Sequence, residues 1–123
     1  MKLTLDARTD RNLIRGYAAG EVRIGERVLR GNCIVAADAL VADWGAVAVG
    51  ELSLEDLTPI FELEPELVLL GTGARQWFPP LSIRSAFTVR GVALEPMDLG
   101  AACRTYNVLV QEERRVVAAL FVS

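Results

Sequence analysis

The chain has 123 residues and a formal charge of −3, with two cysteines and no histidine. This length favours a single domain over residues 1–123, because one core typically serves about 100–200 residues. The absence of histidine excludes a Ser-His-Asp triad, a Cys-His pair and every histidine metal site. Two cysteines are also too few for a structural zinc site, which needs about four ligands. We therefore expect no metal and no cofactor.

Cysteine usage and hydropathy predict a cytoplasmic protein without a membrane span. Cys33 and Cys103 lie far apart and belong to no motif, which is typical of reduced thiols. Residues 1–6 lack the apolar stretch of a signal peptide. The longest apolar run, residues 116–122, is far shorter than the roughly 18 residues of a membrane helix.

Charge is distributed unevenly along the chain. Residues 1–31 carry seven basic and four acidic side chains, and residues 75–123 carry six basic and four acidic ones. Between them, residues 32–74 carry eight acidic side chains and no basic one. No stretch has the clustered basic face of a nucleic-acid-binding protein, so we expect no nucleic-acid partner. A protein partner would therefore contact an acidic segment that lies between two segments of net positive charge, rather than a uniform charge of −3.

Residues 1–50 are predicted to be β-rich and to form a β-meander layer. Glu21–Ile24 alternates polar and apolar side chains, as a half-buried strand does, and residues 27–30 are its hairpin partner across a turn at Gly25. Recurrent glycines disfavour long helices here. Further short strands are predicted over residues 13–19, 33–36 and 40–42.

Residues 51–123 are predicted to alternate helices with strands. Ser53 and Asp56 have capping-box spacing before a helix over residues 54–62, although Pro59 inside it favours a later start or a kink. Asp98 is a strong N-cap for a helix running to about residue 112. The remaining elements are a strand over residues 67–70, a helix over 81–90, a strand over 92–95 and a central buried strand over 116–122. This order predicts an α/β domain, since each later crossover is long enough for a βαβ connection.

Ligand crevices in such sheets form at the carboxyl edge of parallel strands. If the strands starting at residues 67 and 92 run parallel, the loops over residues 71–78 and 96–98 meet there. The first loop contains Gly71-Thr72-Gly73, whose amides suit a small anion with Arg75 beside them, and a tight turn is the alternative interpretation. For Trp77, partner binding and packing on the domain's own core are both open. For Phe78, which follows it, we expect packing on the core.

The polar side chains on and after the last helix have structural as well as functional interpretations. N-capping explains Asp98, and Asn107 is expected first to clamp a neighbouring strand or loop and second to contact a ligand. Cys103 lies on the apolar stripe and is expected to behave as a small buried hydrophobe. Arg114 suits the helix dipole at the carboxyl end. We name no catalytic residue.

Two stretches resemble one family. The first is residues 67–77 with Gly71-Thr72-Gly73, and the second runs from Glu95-Pro96-Met97-Asp98 through Ala101-Ala102-Cys103-Arg104-Thr105-Tyr106-Asn107 to the final strand. They resemble a family of small α/β domains of largely unknown biochemical function. It includes the mitochondrial NADH dehydrogenase (complex I) assembly factor 3 and an adipogenesis-associated Mth-type domain protein.

The resemblance implies a three-layer domain with a mixed sheet flanked by helices, no established enzymatic activity, and partner binding during assembly of a respiratory complex. Glu113 departs from the family, which usually has glycine there. In a left-handed cap this substitution costs roughly 1 kcal/mol. Leu99-Gly100 replaces a threonine that often follows Met-Asp. We expect a bacterial, non-catalytic protein-interaction or assembly-factor module. The alternative is an anionic-ligand binder or enzyme using the 71–75 loop and the 98–107 helix face.

Overall fold

The computed structural model describes residues 11–122. Residues 1–10, which include the stretch on which the absence of a signal peptide is predicted, lie outside the described residues. The first three strands form an antiparallel sheet of their own, in the order β1-β2-β3. They are β1 (Ile14–Ala18), β2 (Glu21–Ile24) and β3 (Arg27–Leu29).

The other five strands of the described chain form a mixed sheet in the order β5-β4-β8-β6-β7. Strands β6, β7 and β8 run parallel, whereas β4 is antiparallel to both β5 and β8. The predicted meander therefore ends at β3, because β4 and β5 join the later strands. The strands are β4 (Cys33–Ala36), β5 (Ala39–Val41), β6 (Leu67–Thr72), β7 (Ala93–Met97) and β8 (Val116–Phe121). The central position of β8 and its complete burial confirm the prediction for this segment.

The helix predicted over residues 54–62 starts later as an α-helix, which is one of the two outcomes that Pro59 favoured. A 3-10 helix over Leu54–Leu57 precedes a single α-turn, α1 (Thr58–Phe61). Pro59 has no N–H to donate to the carbonyl of Glu55, so an α-helix that began at Leu54 would lose a hydrogen bond here, whereas proline is tolerated in the first turn of α1. The predicted capping box is present: Asp56 N–H donates to Ser53 Oγ and Ser53 N–H donates to the Asp56 carboxylate.

Two longer helices match their predictions closely: α2 (Leu81–Arg90) and α3 (Leu99–Gln111). A further 3-10 turn spans Val49–Glu51. Gly91 ends α2 with a φ of 70°, the left-handed conformation that glycine adopts without steric cost. Glu113, just beyond α3, also has a positive φ of 63°, so the departure from glycine there falls on a left-handed residue. Relative to glycine, this conformation lowers the free energy of unfolding by roughly 1 kcal/mol.

Side chains of the mixed sheet alternate between two cores. Val116, Ala118 and Leu120 of β8 pack with α3 and the three-stranded sheet. Val117, Ala119 and Phe121 pack on the other side with α1 and α2. The period of two along β8 thus separates the cores. The result is the three-layer arrangement with a mixed central sheet that the family resemblance implies.

Candidate functional site

The carboxyl ends of β6, β7 and β8 meet at one edge of the sheet, here called the carboxyl edge. In the parallel register, Gly71 lies opposite Met97 and Thr72 lies opposite Phe121. The prediction that Gly71, Thr72 and Met97 belong to loops is wrong, because β6 and β7 each extend further. Their backbone groups take part in the sheet, so the loop after β6 begins only at Gly73.

Gly71 is required by close packing of α3 against β6. A Cβ on Gly71 would lie 2.8 Å from Leu120 Cδ2 and 3.1 Å from the Ala102 Cβ. Helix α3 crosses β6 because it connects β7 to β8, which lie on the two sides of β6. The glycine therefore allows a helix to approach a strand, which explains it without a bound anion.

Thr72 organises the loop from the buried end of β6. Its hydroxyl donates to the Arg75 carbonyl, accepts a hydrogen bond from the Trp77 N–H at 3.1 Å, and lies 3.2 Å from the Met97 carbonyl oxygen. The side chain is 4% exposed. A single hydroxyl thus fixes both ends of the turn, so the segment over residues 73–78, here called the aromatic loop, leaves the sheet in one defined conformation.

Gly73 and Asp98 join the aromatic loop to the first turn of α3. Gly73 has a φ of 85°, which favours glycine, and its carbonyl accepts a 2.7 Å hydrogen bond from the Leu99 N–H. Asp98 Oδ1 accepts a 2.9 Å bond from the Ala101 N–H, which confirms the predicted N-cap. Leu99 and Ala101 therefore direct their N–H groups at acceptors within the chain rather than at a ligand.

The tip of the aromatic loop exposes two rings. Trp77 is 52% and Phe78 is 64% exposed, so the prediction that Phe78 packs on the core is wrong. The following Pro79 is buried, so the proline rather than the phenylalanine occupies the buried position here. The Arg75 guanidinium lies 4.9 Å from the centre of the Trp77 ring, within the range of a cation–π contact.

A shallow groove of about 380 Å³ runs beside these rings. Val47, itself 75% exposed, lines it together with the rings, and Thr72 and Phe121 line it from the carboxyl edge. The Trp44 indole N–H donates to the Asp56 carbonyl at 2.9 Å, which ties the segment before Val47 to the 3-10 helix over Leu54–Leu57. Trp77, Phe78 and Val47 together form an exposed apolar surface, here called the aromatic patch.

Asn107 and Arg114 do not join the carboxyl edge. The Asn107 amide accepts a bond from the Ile14 N–H at 2.9 Å and donates to the Ile14 carbonyl at 2.8 Å. This is the structural clamp that its position on the stripe predicts. Arg114 follows α3, and its guanidinium lies 3.3 Å from the Glu66 carboxylate just before β6. The hydrogen bond that the Arg115 N–H donates to the Glu66 carboxylate is the main cause of the lowered pKa of Glu66. The positive charge of Arg114 lowers this pKa further.

A second groove at the carboxyl edge contains residues that the sequence interpretation missed. It measures about 440 Å³ and brings Asp98 and Gly73 together with Tyr17, Gly100 and Arg104, but does not include Arg75 or Asn107. The Arg104 guanidinium donates to the Tyr17 hydroxyl. A Cβ on Gly100 would lie 2.9 Å from the Tyr17 ring. Glycine within the first turn of a predicted helix was the available signal for this close approach.

Neither cysteine has the environment of a nucleophile. Cys33 and Cys103 are buried in the core that contains α3. Burial raises the pKa of each thiol to about 12, and for Cys103 a charge on Cys33 would raise it further. Both thiols therefore remain protonated near neutral pH. Because the thiolate is the reactive form, neither cysteine is a good nucleophile.

The fold agrees with comparisons to known proteins. The model of a family described as "Protein of unknown function (DUF498/DUF598)" matches residues 14–121. The chain belongs to this family. It is 33% identical over 110 residues to the zebrafish (Danio rerio) protein named NADH dehydrogenase [ubiquinone] 1 alpha subcomplex assembly factor 3, covering 88% of this chain and 63% of the relative. The chain thus spans less than two thirds of that relative's length.

Two solved bacterial structures share the fold. A Bordetella parapertussis crystal structure is 32% identical, covers 92% of this chain and 97% of its own, and superposes with a TM-score of 0.85. A Bartonella henselae protein named as an outer membrane protein is 29% identical, with 91% and 95% coverage and a TM-score of 0.81. Along residues 11–122 of the present chain, no helix combines the length and apolarity needed to cross a bilayer.

Proposed function

We propose that this protein is a non-catalytic interaction module, similar in role to an assembly factor, that binds a protein partner through the aromatic patch. The observation that carries the proposal is the exposure of the adjacent residues Trp77 and Phe78 in the aromatic loop that follows β6. Tryptophan and arginine are enriched among the residues that dominate binding energy at interfaces. Trp77 with Arg75 stacked on it has that composition.

The loop that presents the rings is preorganised, which supports a binding role. Thr72 fixes its two ends, and Gly73 ties it to α3. Gln76 anchors its middle by donating to the Pro96 carbonyl at 2.9 Å. A loop already held in one conformation loses little conformational entropy when a partner binds.

The polar side chains at the carboxyl edge and the two buried thiols favour binding over chemistry. The Thr72 hydroxyl and the Asp98 carboxylate each hold a backbone group of the chain, and both thiols have pKa values raised to about 12. The anionic-ligand alternative draws on Arg75, Asp98 and Asn107 together. Arg75 stacks on Trp77, whereas Asn107 clamps β1, and these separate engagements favour the interaction module.

The relatives named as assembly factors of NADH dehydrogenase suggest the kind of partner. We infer that the partner is a protein of a multi-subunit complex, which the module holds before that complex is complete. We place this encounter in the cytoplasm of a bacterium, in keeping with the two buried free cysteines.

The experiment is affinity purification of the tagged chain from its native host, with Trp77→Ala as the test and Val108→Ala as the matched control. Val108 is equally exposed, at 54%, but lies on α3, away from the aromatic loop. We expect a reproducible partner that is recovered with Val108→Ala and lost with Trp77→Ala. A partner recovered equally with both variants would contradict the proposal, as would no reproducible partner with the unaltered chain.

A further inference from the structure

Among residues 11–122, only uncharged residues line the shallow groove of about 380 Å³ beside the aromatic loop. Trp77, Phe78 and Val47 give it exposed apolar surface, and residues 48–50 continue the lining. Sites of this kind take a largely apolar ligand and orient it with a small number of polar groups. The polar groups beside the groove therefore indicate which ligand it fits.

The Trp77 side chain carries a hydrogen-bond donor that the described chain does not use. The Trp44 indole N–H donates to the Asp56 carbonyl at 2.9 Å, whereas the Trp77 indole N–H has no acceptor within residues 11–122. The aromatic loop holds Trp77 through its backbone N–H, which donates to the Thr72 hydroxyl at 3.1 Å. An indole N–H can only donate, so the ligand group that pairs with it must be an acceptor.

Several acceptors that border the groove are already engaged within the chain. The Ala48 carbonyl accepts the Glu51 N–H at 3.0 Å, and the Val49 carbonyl accepts the Leu52 N–H at 3.4 Å. The Thr72 hydroxyl is occupied by the aromatic loop. Proline has no N–H, so a segment rich in proline offers carbonyl acceptors and requires no acceptor in return. Its hydrogen-bonding groups therefore match those of the groove.

We propose that this groove binds an extended, proline-rich segment of the partner protein in the polyproline II conformation. The inference rests on the proposed interaction function and names the chemistry of the partner. Segments of this conformation dock in aromatic-lined grooves, and their preformed backbone loses little entropy on binding. Proline rings would pack against Trp77 and Phe78, and a carbonyl of the segment would accept the Trp77 indole N–H.

Charged residues next to the groove indicate what flanks the prolines. Arg75 is exposed, lies 4.9 Å from the centre of the Trp77 ring, and forms no ion pair within the described chain. Glu51 is exposed and follows Gly50, which lines the groove. An acidic residue beside the prolines is therefore expected near Trp77, where the guanidinium attracts it, rather than near Gly50.

A second copy of the chain does not supply the proline-rich segment. Pro79-Pro80 is the only pair of adjacent prolines in the sequence. Pro79 is buried, so this pair cannot lie in the groove of another copy without leaving its own core. The segment is therefore expected to belong to a different protein.

The test uses three designed peptides of about ten residues with blocked ends. The first is a run of prolines ending in two aspartates, the second has alanine in place of each proline, and the third has asparagine in place of each aspartate. Each is titrated into the full chain labelled with nitrogen-15, and the indole N–H resonances are followed by NMR. We expect the first peptide to bind saturably and to shift the Trp77 resonance much more than that of Trp44, whose N–H is already bonded. We expect the alanine peptide to bind at least about tenfold more weakly.

Matched variants separate the contributions of the ring, the donor and the charge. Trp77→Phe keeps an aromatic ring and removes the N–H, and is expected to weaken binding by about fivefold, the equivalent of one net hydrogen bond. Arg75→Gln is expected to weaken the aspartate peptide by about threefold and to leave the asparagine peptide within about twofold. Val108→Ala, exposed on α3 away from the aromatic loop, is the control and is expected to bind within about twofold of the unaltered chain.

Several results would overturn the inference. Equal binding of the alanine peptide would show that the groove does not select proline, and full affinity of Trp77→Phe would show that the indole does not donate to the ligand. Binding without a shift of the Trp77 resonance would place the peptide elsewhere. A partner that is lost with Trp77→Ala, while no proline peptide binds, would refute this inference and leave the proposed function intact. A partner that is retained with Trp77→Ala, while the proline peptide binds at Trp77, would do the reverse.

Discussion

The substitution Asn107→Ala tests how the three-stranded sheet is held to the rest of the domain. The Asn107 amide makes two hydrogen bonds, one with the N–H and one with the carbonyl of Ile14, at 2.9 and 2.8 Å. Each such bond contributes about 1 kcal/mol, and a buried polar group left without a partner costs about 1–3 kcal/mol. Ile14 is only 5% exposed. We therefore expect the free energy of unfolding to fall by about 2–4 kcal/mol.

Urea denaturation measures this loss, with an unchanged m-value showing that the denatured state is unaltered. Asn107→Asp is the informative companion, because it keeps the acceptor for the Ile14 N–H but sets an oxygen against the Ile14 carbonyl. It is expected to destabilise the domain at least as strongly as alanine. Val108→Ala, an exposed neighbour on the same helix, should cost less than about 0.5 kcal/mol. A loss below about 0.5 kcal/mol for Asn107→Ala would refute the clamp.

Three further predictions follow from packing, backbone conformation and thiol burial. Gly71→Ala is expected to lower the free energy of unfolding by about 1–3 kcal/mol, because its Cβ would lie 2.8 Å from Leu120 Cδ2, and thermal or urea unfolding measures it. Glu64→Gly is expected to stabilise the domain by up to about 1 kcal/mol in the same assay, since Glu64 has a φ of 52°. Cys33 and Cys103, with pKa values raised to about 12, are expected to resist alkylation at pH 8 in the folded protein and to react once it is unfolded. Rapid labelling of the native thiols would contradict their burial.

Local signals were sufficient to predict the helices that begin at Asp98 and after Pro80. Asp98 is an N-cap by residue type, and the apolar stripe of α3 has helical spacing, so the start of the helix and its buried face are both encoded within one short segment. Gly91 likewise marks the end of α2. The capping box at Ser53 was also predictable, whereas the 3-10 form that follows it depends on a missing donor at Pro59.

Strand ends and side-chain exposure at the carboxyl edge depend on contacts between distant residues. Gly71 and Thr72 resemble loop residues in sequence, but pairing with β7 and β8 keeps them in the sheet. Phe78 is hydrophobic, yet Pro79 occupies the buried position instead. Such outcomes are decided by tertiary packing, which no local pattern encodes.

The direction of the strands was likewise not determined by the residues themselves. The apolar runs of β4 and β8 are compatible with parallel or antiparallel pairing, and the mixed sheet was predicted from the family resemblance alone. The groove that joins Tyr17 to Arg104 unites residues 87 positions apart. In the sequence, only Gly100 indicated a close approach to α3, and the structure shows that Tyr17 is the residue that approaches it.

The most direct test of the account is the affinity of the purified partner, once recovered, for the unaltered chain and for Trp77→Ala. A tryptophan at the centre of an interface contributes about 2 kcal/mol or more, so we expect binding to weaken by about 30-fold. Because Trp77 is half exposed, the free energy of unfolding should change by less than about 0.5 kcal/mol. An affinity unchanged by Trp77→Ala, with the fold intact, would contradict the claim that the aromatic patch is the binding surface.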